Sequence, residues 1–308
     1  MTRALTTWCT PALTGAQSRF AEVRGRAVRY PADVAPFLAV PREPSAQDWV
    51  DAAALVPVGS VVAVEHLGDH APDQWELVRQ LEGVQMVEEH VRGIDDPEAV
   101  VLGRDDVPEM LELVRETDPG PFLTRTIELG RYVGIRRGGR LIAMGGERLH
   151  FDGWREVSAV CTAPAHRAQG LASRLVNDVV SGIHRRSERA FLHVLSTNAD
   201  AIRLYEQLGF RVRASGTLSV MTPRAASPPM YDRNDGSQSR VGWNVIGAMR
   251  EGNHGQGHED SGDDEWVAVA LGAPDPARLH WLVHPRPPRP RACARSAAVG
   301  FAPCSWRR

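Results

Sequence analysis

Apolar and polar positions alternate through the middle of the chain in a way that predicts a run of strands and helices. Between residues 98 and 222 the predicted order is β-α-β-β-β-α-β-α-β. Gly138–Gly139 and Asp152–Gly153 each separate two of these strands, and such pairs are typical of tight β-hairpins. Further along, residues 171–183 carry apolar side chains at helical spacing. The pattern therefore predicts an α/β domain over residues 98–222.

The pattern differs on either side of this segment. Residues 1–97 alternate short apolar runs with proline-containing turns, which predicts a smaller N-terminal α/β region. Within it we predict a strand at 58–67 ("VGSVVAVEHL") and a short helix at 72–81 ("PDQWELVRQL"). Residues 223–308 hold ten of the 22 prolines and long polar stretches. We expect this third part to be a low-complexity, disordered C-terminal tail.

Composition narrows the classes of function. The net charge of −2 over 308 residues gives no reason to expect nucleic acid or an anionic membrane as a partner. All 36 basic side chains are arginine, which a codon bias explains. No stretch approaches eighteen consecutive apolar residues, and the N-terminus lacks the apolar centre of a signal peptide. These observations predict a cytoplasmic protein.

Cysteine and histidine patterns do not predict a metal site. The four cysteines, Cys9, Cys161, Cys293 and Cys304, show no metal-ligand spacing. His254 and His258 lie beside an acidic run, but this tract is more typical of a solvated low-complexity segment. We therefore predict that the protein binds no metal.

A strand, a glycine loop and a helix follow one another in "EVSAVCTAPAHRAQGLASRL" (156–175). The dinucleotide fingerprint G-x-G-x-x-G does not fit, because alanines occupy positions 168 and 172. A nucleotide-binding P-loop needs a lysine, which this chain lacks. The motif that remains is R-x-x-G-x-A at a helix start, where free N–H groups and the helix dipole favour a pyrophosphate. The alternative is an ordinary β-α turn that contains one glycine.

Three phrases in the right order resemble the GNAT superfamily of acyl-CoA-dependent N-acyltransferases. They are "GIRRGGRLIAMGGERL", "EVSAVCTAPAHRAQGLASRLV" and "FLHVLSTNADAIRLYEQLGF". The loop corresponds to the family's [RQ]-x-x-G-x-[GA] motif, and N-x-x-A-x-x-L-Y-E-x-L-G-F is its other hallmark. The resemblance covers residues 98–222 and implies the GNAT fold, with a mixed, mostly antiparallel central sheet and flanking helices.

The wording of the phrases is closest to the branch that includes glycine N-acyltransferase-like proteins. In that branch a degenerate half commonly precedes the working one, which would account for residues 1–97.

The resemblance implies acetyl-CoA, or another short acyl-CoA, as the acyl donor. In this family the strand before the loop bears a bulge and splays from its neighbour, so that its backbone binds the pantetheine arm. Carried over residue by residue, the predicted cofactor-binding positions are Val160, Cys161, Thr162, Arg167, Ala168, Gln169, Gly170, Leu171, Ala172, Ser173 and Asn198. Three of these positions have plainer interpretations: a core residue for Cys161, a solvated cation for Arg167 and a helix cap for Asn198.

The resemblance also implies direct attack of an amine on the thioester. Tyr205 matches the tyrosine that protonates the departing thiolate, and its alternative is packing on the sheet. His193 occupies the position at which many relatives have a glutamate that acts as the general base. Histidine suits that role near neutral pH. The alternative interpretation of His193 is a structural histidine in the core. Glu156 is then the rival candidate for the general base, and Glu147 is a third candidate.

The expected acceptor is a small-molecule or peptide amine, and the sequence indicates neither its identity nor the oligomeric state. The second hypothesis is a non-catalytic acyl-CoA-binding or regulatory module that has kept the fold.

Overall fold

The computed structural model describes residues 8–65 and 72–224. Within them, eleven strands form one continuous mixed sheet with helices packed on both faces. No helix in these ranges is long and apolar enough to cross a membrane. The predicted tail beyond Arg224, with His254 and His258, lies outside the described residues.

The elements follow one another closely along the chain. The strands are β1 Glu22–Arg24, β2 Ala27–Arg29, β3 Phe37–Ala39, β4 Val62–Glu65, β5 Trp75–Glu88, β6 Val100–Leu102, β7 Tyr132–Arg137, β8 Arg140–Phe151, β9 Trp154–Thr162, β10 Arg189–Leu195 and β11 Phe210–Pro223. The helices are α1 Cys9–Thr14, α2 Ala46–Leu55, α3 Val107–Thr117, α4 Leu171–His184 and α5 Ala199–Gln207. Across the sheet the order is β1-β2-β3-β4-β11-β5-β10-β9-β8-β7-β6.

The element order predicted for residues 98–222 is confirmed, from β6 through α3, β7, β8, β9, α4, β10 and α5 to β11. Both predicted hairpin turns are present. Gly138 and Gly139 have φ angles of 57° and 81°, and Asp152 and Gly153 have 43° and 75°. Left-handed backbone of this kind is accessible to glycine and tolerated by aspartate, which explains why these residue pairs form the turns.

The helix predicted at 72–81 is wrong. Residues Trp75–Glu88 form β5, a strand of 14 residues in the middle of the sheet. β11 pairs with it along nearly its whole length, and β10 pairs with Gly83–Val87 on its other side. Backbone pairing on both sides outweighs the weak helical preference of glutamate, leucine, glutamine and arginine in this segment.

Two strand-helix-strand units lie in the sheet, and in each the two strands run parallel. β9 is parallel to β10 across α4, and β3 is parallel to β4 across α2. The strand that follows each unit pairs with the other unit: β11 pairs antiparallel with β4, and β5 pairs antiparallel with β10. The sheet is therefore continuous across residues 97 and 98, and β5 brings N-terminal side chains next to β10.

Both faces of the sheet are packed around β9 and β10. Helix α4 covers one face through side chains with no exposed surface, namely Leu175, Val176, Val179, Val180 and Ile183. Their spacing places them on one side of the helix. Helices α1 and α3 cover the other face, where aromatic side chains of α1 and the sheet form a cluster: Trp8, Phe37, Phe151, Trp154 and Phe191. This packing on both sides holds the two strands in fixed positions.

Candidate active site

Strands β9 and β10 pair only at their beginnings. The parallel register runs from Trp154↔Arg189 to Glu156↔Phe191, and among the described residues no further bridge joins the two strands. β9 continues along β8, and β10 continues along β5. The backbone between residues 157–162 of β9 and 192–195 of β10 therefore opens into a space that we call the strand gap.

A bulge lies in β9 beside the strand gap. Ala159 has a φ of 53°, and the pairing with β8 shifts register between Ser158 and Cys161. An extra residue on one strand bends that strand and increases its twist. The bulge thus provides a local cause for the divergence of β9 from β10.

The glycine loop joins β9 to α4 and presents its backbone to solvent. Ala168 and Gly170 have φ angles of 61° and 72°, and both are exposed. Gly170 is the N-cap of α4, so the first N–H groups of this 14-residue helix have no intrahelical acceptor. No backbone hydrogen bond within the described chain is donated by residues 168–170. The loop therefore has the free N–H groups and the helix dipole that an anionic group requires.

Two further groups connect the loop to the strand gap. Nε of Arg167 donates to the carbonyl oxygen of Thr162 at 3.3 Å, which ties the loop to the end of β9. The Oγ1 atom of Thr162 is buried and has no hydrogen-bond partner among the described residues. A buried hydroxyl without a partner is costly, so this atom is suited to a polar ligand group in the strand gap.

Glu156 and His193 are brought together, as two of the candidate bases. Nδ1 of His193 lies 2.8 Å from Oε1 of Glu156, which is fully buried. Arg148 donates to both oxygens of Glu156, at 2.8 and 2.7 Å. Burial by itself would raise the pKa of Glu156, but the charge and hydrogen bonds of Arg148, with the bond from His193, hold it at about 2. Glu156 is therefore an ionised carboxylate that orients the ring of His193.

Two residues that the sequence did not indicate complete the surroundings of His193. The ring of Trp8 lies 5.1 Å from the His193 ring, centroid to centroid. The amide nitrogen of Gln85 lies 3.0 Å from Nε2 of His193. Gln85 could not be found from the sequence, because it meets His193 through the pairing of β5 with β10, and the start of β5 was assigned to a helix. Arg148 had a signal, since a basic residue within a mostly apolar strand needs a buried carboxylate.

Tyr205 and Asn198 lie on α5 and at its start. Tyr205, like Val160 and Val194, is partly buried and packs against the core under α4, and its ring meets Phe210 at a centroid distance of 5.9 Å. Because side chains alternate along a strand, His193 points to the opposite face from Val194. Tyr205 and His193 therefore lie on opposite faces of the sheet beside the strand gap. Burial first, then the Cys161 thiol and the Glu156 carboxylate, raises the pKa of Tyr205 to about 12.

Comparison with known proteins decides the family. Residues 132–218 match the sequence family described as FR47-like protein. A crystal structure of a protein from Novosphingobium aromaticivorans, assigned to the GNAT acetyltransferases, is 33% identical to this chain, with a TM-score of 0.66. The similarity covers 73% of this chain and 100% of that one. The chain belongs to the GNAT family of acetyltransferases.

A GCN5-related N-acetyltransferase from Kribbella flavida is more distant, at 15% identity and a TM-score of 0.48, covering 71% of this chain and 97% of its own. No curated protein matches the chain. The Novosphingobium aromaticivorans relative and the order of the sheet confirm the GNAT fold expected from the sequence, a mixed sheet with flanking helices.

In this GNAT chain, Asn198 is a helix cap. Its Oδ1 atom accepts a hydrogen bond from the backbone N–H of Ala201 at 3.3 Å, at the start of α5. The plainer interpretation therefore describes the contact seen here, although the side chain is still partly exposed.

Cys161 is a buried core residue. It packs with Met144 and Ala159 under α3, and burial raises the pKa of its thiol to about 12. A thiol in this state is a poor nucleophile. Cys161 can therefore contribute to the strand gap only through its backbone.

Glu147 lies in a separate ion-pair cluster. Arg155 and Arg186 donate to its two oxygens at 3.2 and 2.5 Å, and its side chain is almost fully buried. No hydrogen bond in the described part of the chain joins it to His193. Across residues 8–65 and 72–224, no three metal-ligating side chains are grouped.

Proposed function

We propose that the protein is an acyl-CoA-dependent N-acetyltransferase, which transfers an acetyl or other short acyl group to an amine by direct attack. The observation that carries the proposal is the end of β9–β10 pairing at Glu156 and Phe191, followed by the bulge and the exposed glycine loop. Membership of the GNAT family supports the same chemistry.

In this proposal the strand gap holds the pantetheine arm of the acyl donor and the loop holds its pyrophosphate. The backbone of Val160, Cys161 and Thr162 faces the strand gap, and a strand N–H at these positions would stabilise the oxyanion. The cradle for the phosphates is formed by Arg167, Ala168, Gln169, Gly170, Leu171, Ala172 and Ser173. Asn198 would add a contact only if its side chain turned away from its capping bond.

The chemical step joins an amine nitrogen to the thioester carbonyl carbon. The amine must first lose the proton of its ammonium form, and the C–S bond then breaks with its electron pair on sulfur. We assign the first proton to His193, which Glu156 orients, and the proton for the leaving thiolate to Tyr205. A phenol with a raised pKa of about 12 stays protonated and ready to donate near neutral pH.

Glu156 and Glu147 are weaker candidates for the base. A carboxylate with a pKa of about 2 that accepts two bonds from Arg148 has little affinity for a further proton. Glu147 is held by two arginines outside the His193 contacts. We therefore rank His193 first.

One observation favours the alternative, a non-catalytic acyl-CoA-binding or regulatory module. Nε2 of His193 is already in contact with Gln85, and Glu156 is engaged by Arg148 and His193, so neither of these two candidate bases is free of a partner. Calorimetric titration with acetyl-CoA, followed by thiol release in the presence of an amine panel, separates the two functions. Binding with turnover supports the transferase, binding without turnover supports the module, and absence of binding contradicts both.

We further propose that residues 1–97 are a degenerate GNAT half, as in the glycine N-acyltransferase-like branch. The parallel β3–α2–β4 unit supports this, since it repeats the β9–α4–β10 arrangement. Its connection from β3 to α2 ("VPREPS", 40–45) contains no glycine, so this unit lacks the glycine loop that would hold a pyrophosphate. The division at residues 97/98, the tail after residue 222, the amine acceptor and a cytoplasmic location remain predictions.

A further inference from the structure

Strand β5 of the N-terminal region contacts the ring of His193, the proposed base, through the side chain of Gln85. The two residues face each other in the β5–β10 register, and Gln85 is 6% exposed. Its amide nitrogen lies 3.0 Å from Nε2 of His193, and its Oε1 accepts from NH1 of Arg213 at 2.9 Å. The amide therefore bridges His193 and an arginine of β11.

The two arginines at the ends of this chain of contacts fix the direction of every hydrogen bond. Arg213 can only donate, so Oε1 of Gln85 must face it and the NH₂ group must face His193. Arg148 also only donates, and ionised Glu156 only accepts, so Nδ1 of His193 must carry a proton toward Glu156. The order of donation is Arg148 to Glu156, His193 Nδ1 to Glu156, Gln85 to His193 Nε2, and Arg213 to Gln85.

We propose that Gln85 is a positioning residue that holds His193 as the neutral Nδ1–H tautomer, with the Nε2 lone pair fixed between β5 and the strand gap. The tautomer of His193 does not depend on the proposed function. Only the role of His193 as a general base rests on that function. Gln85 gives the N-terminal region a part in the active site, since the residue that sets the state of the base belongs to β5.

The groups around His193 determine which ring nitrogen carries a proton. Glu156 from β9 accepts a hydrogen bond from Nδ1, whereas the NH₂ of Gln85 would meet an Nε2–H head-on and so excludes a proton there. Trp8 packs against the ring at a tilt of 49° and carries no charge, and its backbone N–H donates to Glu65 on β4. For Nε2 to receive a proton from the acceptor ammonium, the Gln85 amide must turn away. The amide therefore occupies the Nε2 lone pair until an acceptor replaces it.

The decisive measurement is ¹⁵N NMR of the histidine ring in the full-length protein without substrates. The wild type is expected to show a protonated Nδ1 and an unprotonated Nε2 for His193. In Gln85→Glu a carboxylate oxygen, which only accepts hydrogen bonds, replaces the NH₂ group that faces Nε2, so Nε2 should carry a proton at the pH at which the wild type shows none. Gln80→Glu makes the same change at an exposed position of β5 and should leave the ring protonation pattern of the wild type unchanged.

An Nε2–H tautomer in the wild type, or an Nε2 that stays unprotonated in Gln85→Glu, overturns the inference. The wild-type spectrum decides the matter by itself if the variant does not fold. Neither readout needs turnover, so a protein that acetylates no amine but shows these spectra loses the proposed function and keeps this inference.

Discussion

The carboxylate of Glu156 lies 2.8 Å from Nδ1 of His193, at the point where β9 and β10 stop pairing. The same residue that closes the paired part of the two strands therefore also orients the proposed base. Arg148 fixes the carboxylate from the other side. Disturbing the ion pair between Arg148 and Glu156 should therefore change both the geometry of the strand gap and the orientation of the His193 ring.

Replacing Arg148 should destabilise the fold strongly. Arg148→Met leaves Glu156 as a buried carboxylate without its cation, which costs about 3–5 kcal/mol in the free energy of unfolding. Urea denaturation monitored by tryptophan fluorescence measures the loss. Arg140→Met, which removes an exposed pair with Glu116, is the matched control and should cost about 0–1 kcal/mol. Equal losses in the two variants would show that the buried pair has no special weight.

Glu65 should make stability depend on pH in the direction opposite to an ordinary ion pair. Burial raises the pKa of its carboxyl to about 8, against bonds from the N–H groups of Trp8 and Cys9. Between its ordinary value and about 8 the folded state binds a proton that the unfolded state has lost, so stability falls as pH rises through this window.

Glu65→Gln keeps an oxygen for both N–H donors and removes this titration. The melting temperature of this variant, relative to that of the wild type, should rise as pH rises from about 5 to about 9. The corresponding relative gain in the free energy of unfolding should exceed about 1.4 kcal/mol, the equivalent of one pKa unit. Glu76→Gln, at an exposed position of β5, should show no such trend. Parallel pH profiles for Glu65→Gln and the wild type would refute the raised pKa.

Gly170→Ala should weaken binding of acetyl-CoA by about tenfold or more, or about 1.4 kcal/mol. Its Cβ meets no atom within 4 Å, but it would project at a φ of 72° from the exposed loop. Gly138→Ala, at a φ of 57° in the β7–β8 turn, also meets nothing within 4 Å. Both variants should lose about 1 kcal/mol of stability from left-handed backbone. Calorimetric binding affinities that fall equally in the two variants would exclude the loop as the phosphate cradle.

Tyr205→Phe should lower kcat by about 10²-fold or more, while the KM for acetyl-CoA changes little, because only the proposed proton donor is lost. Packing against Phe210 is retained in this variant. Tyr132→Phe is the matched control, since the buried Tyr132 hydroxyl has no hydrogen-bond partner among the described residues. It should keep kcat and gain stability. A Tyr205→Phe enzyme with unchanged kcat would remove Tyr205 from the mechanism.

Local patterns in the sequence were sufficient for residues 98–222. The turn glycines and the apolar stripe of α4 determine their own elements, so the order of strands and helices could be predicted. The segment around Trp75 could not be, because its strand conformation comes from pairing with β10 and β11, far away in the chain. Local helix preference is weak, and backbone pairing with distant strands overrides it.

The residues of the candidate site divide in the same way, into those that local sequence patterns indicate and those that depend on pairing between distant strands. The loop at Gly170 and the residues His193 and Glu156 could be named from their motifs. Gln85 could not, since it reaches His193 only through the pairing of β5 with β10, a strand far away in the chain. Its role depends on a register that no single segment of sequence specifies.

Mass spectrometry of the amines recovered after incubation with acetyl-CoA tests the central claim most directly. The full-length protein should convert at least one amine of a panel of small amines, amino acids and peptides to its N-acetyl form. One equivalent of free CoA should appear for each acetyl group transferred, and Tyr205→Phe should abolish most of the product. Tight binding of acetyl-CoA with no acetylated amine anywhere in the panel would contradict the transferase and leave the binding module.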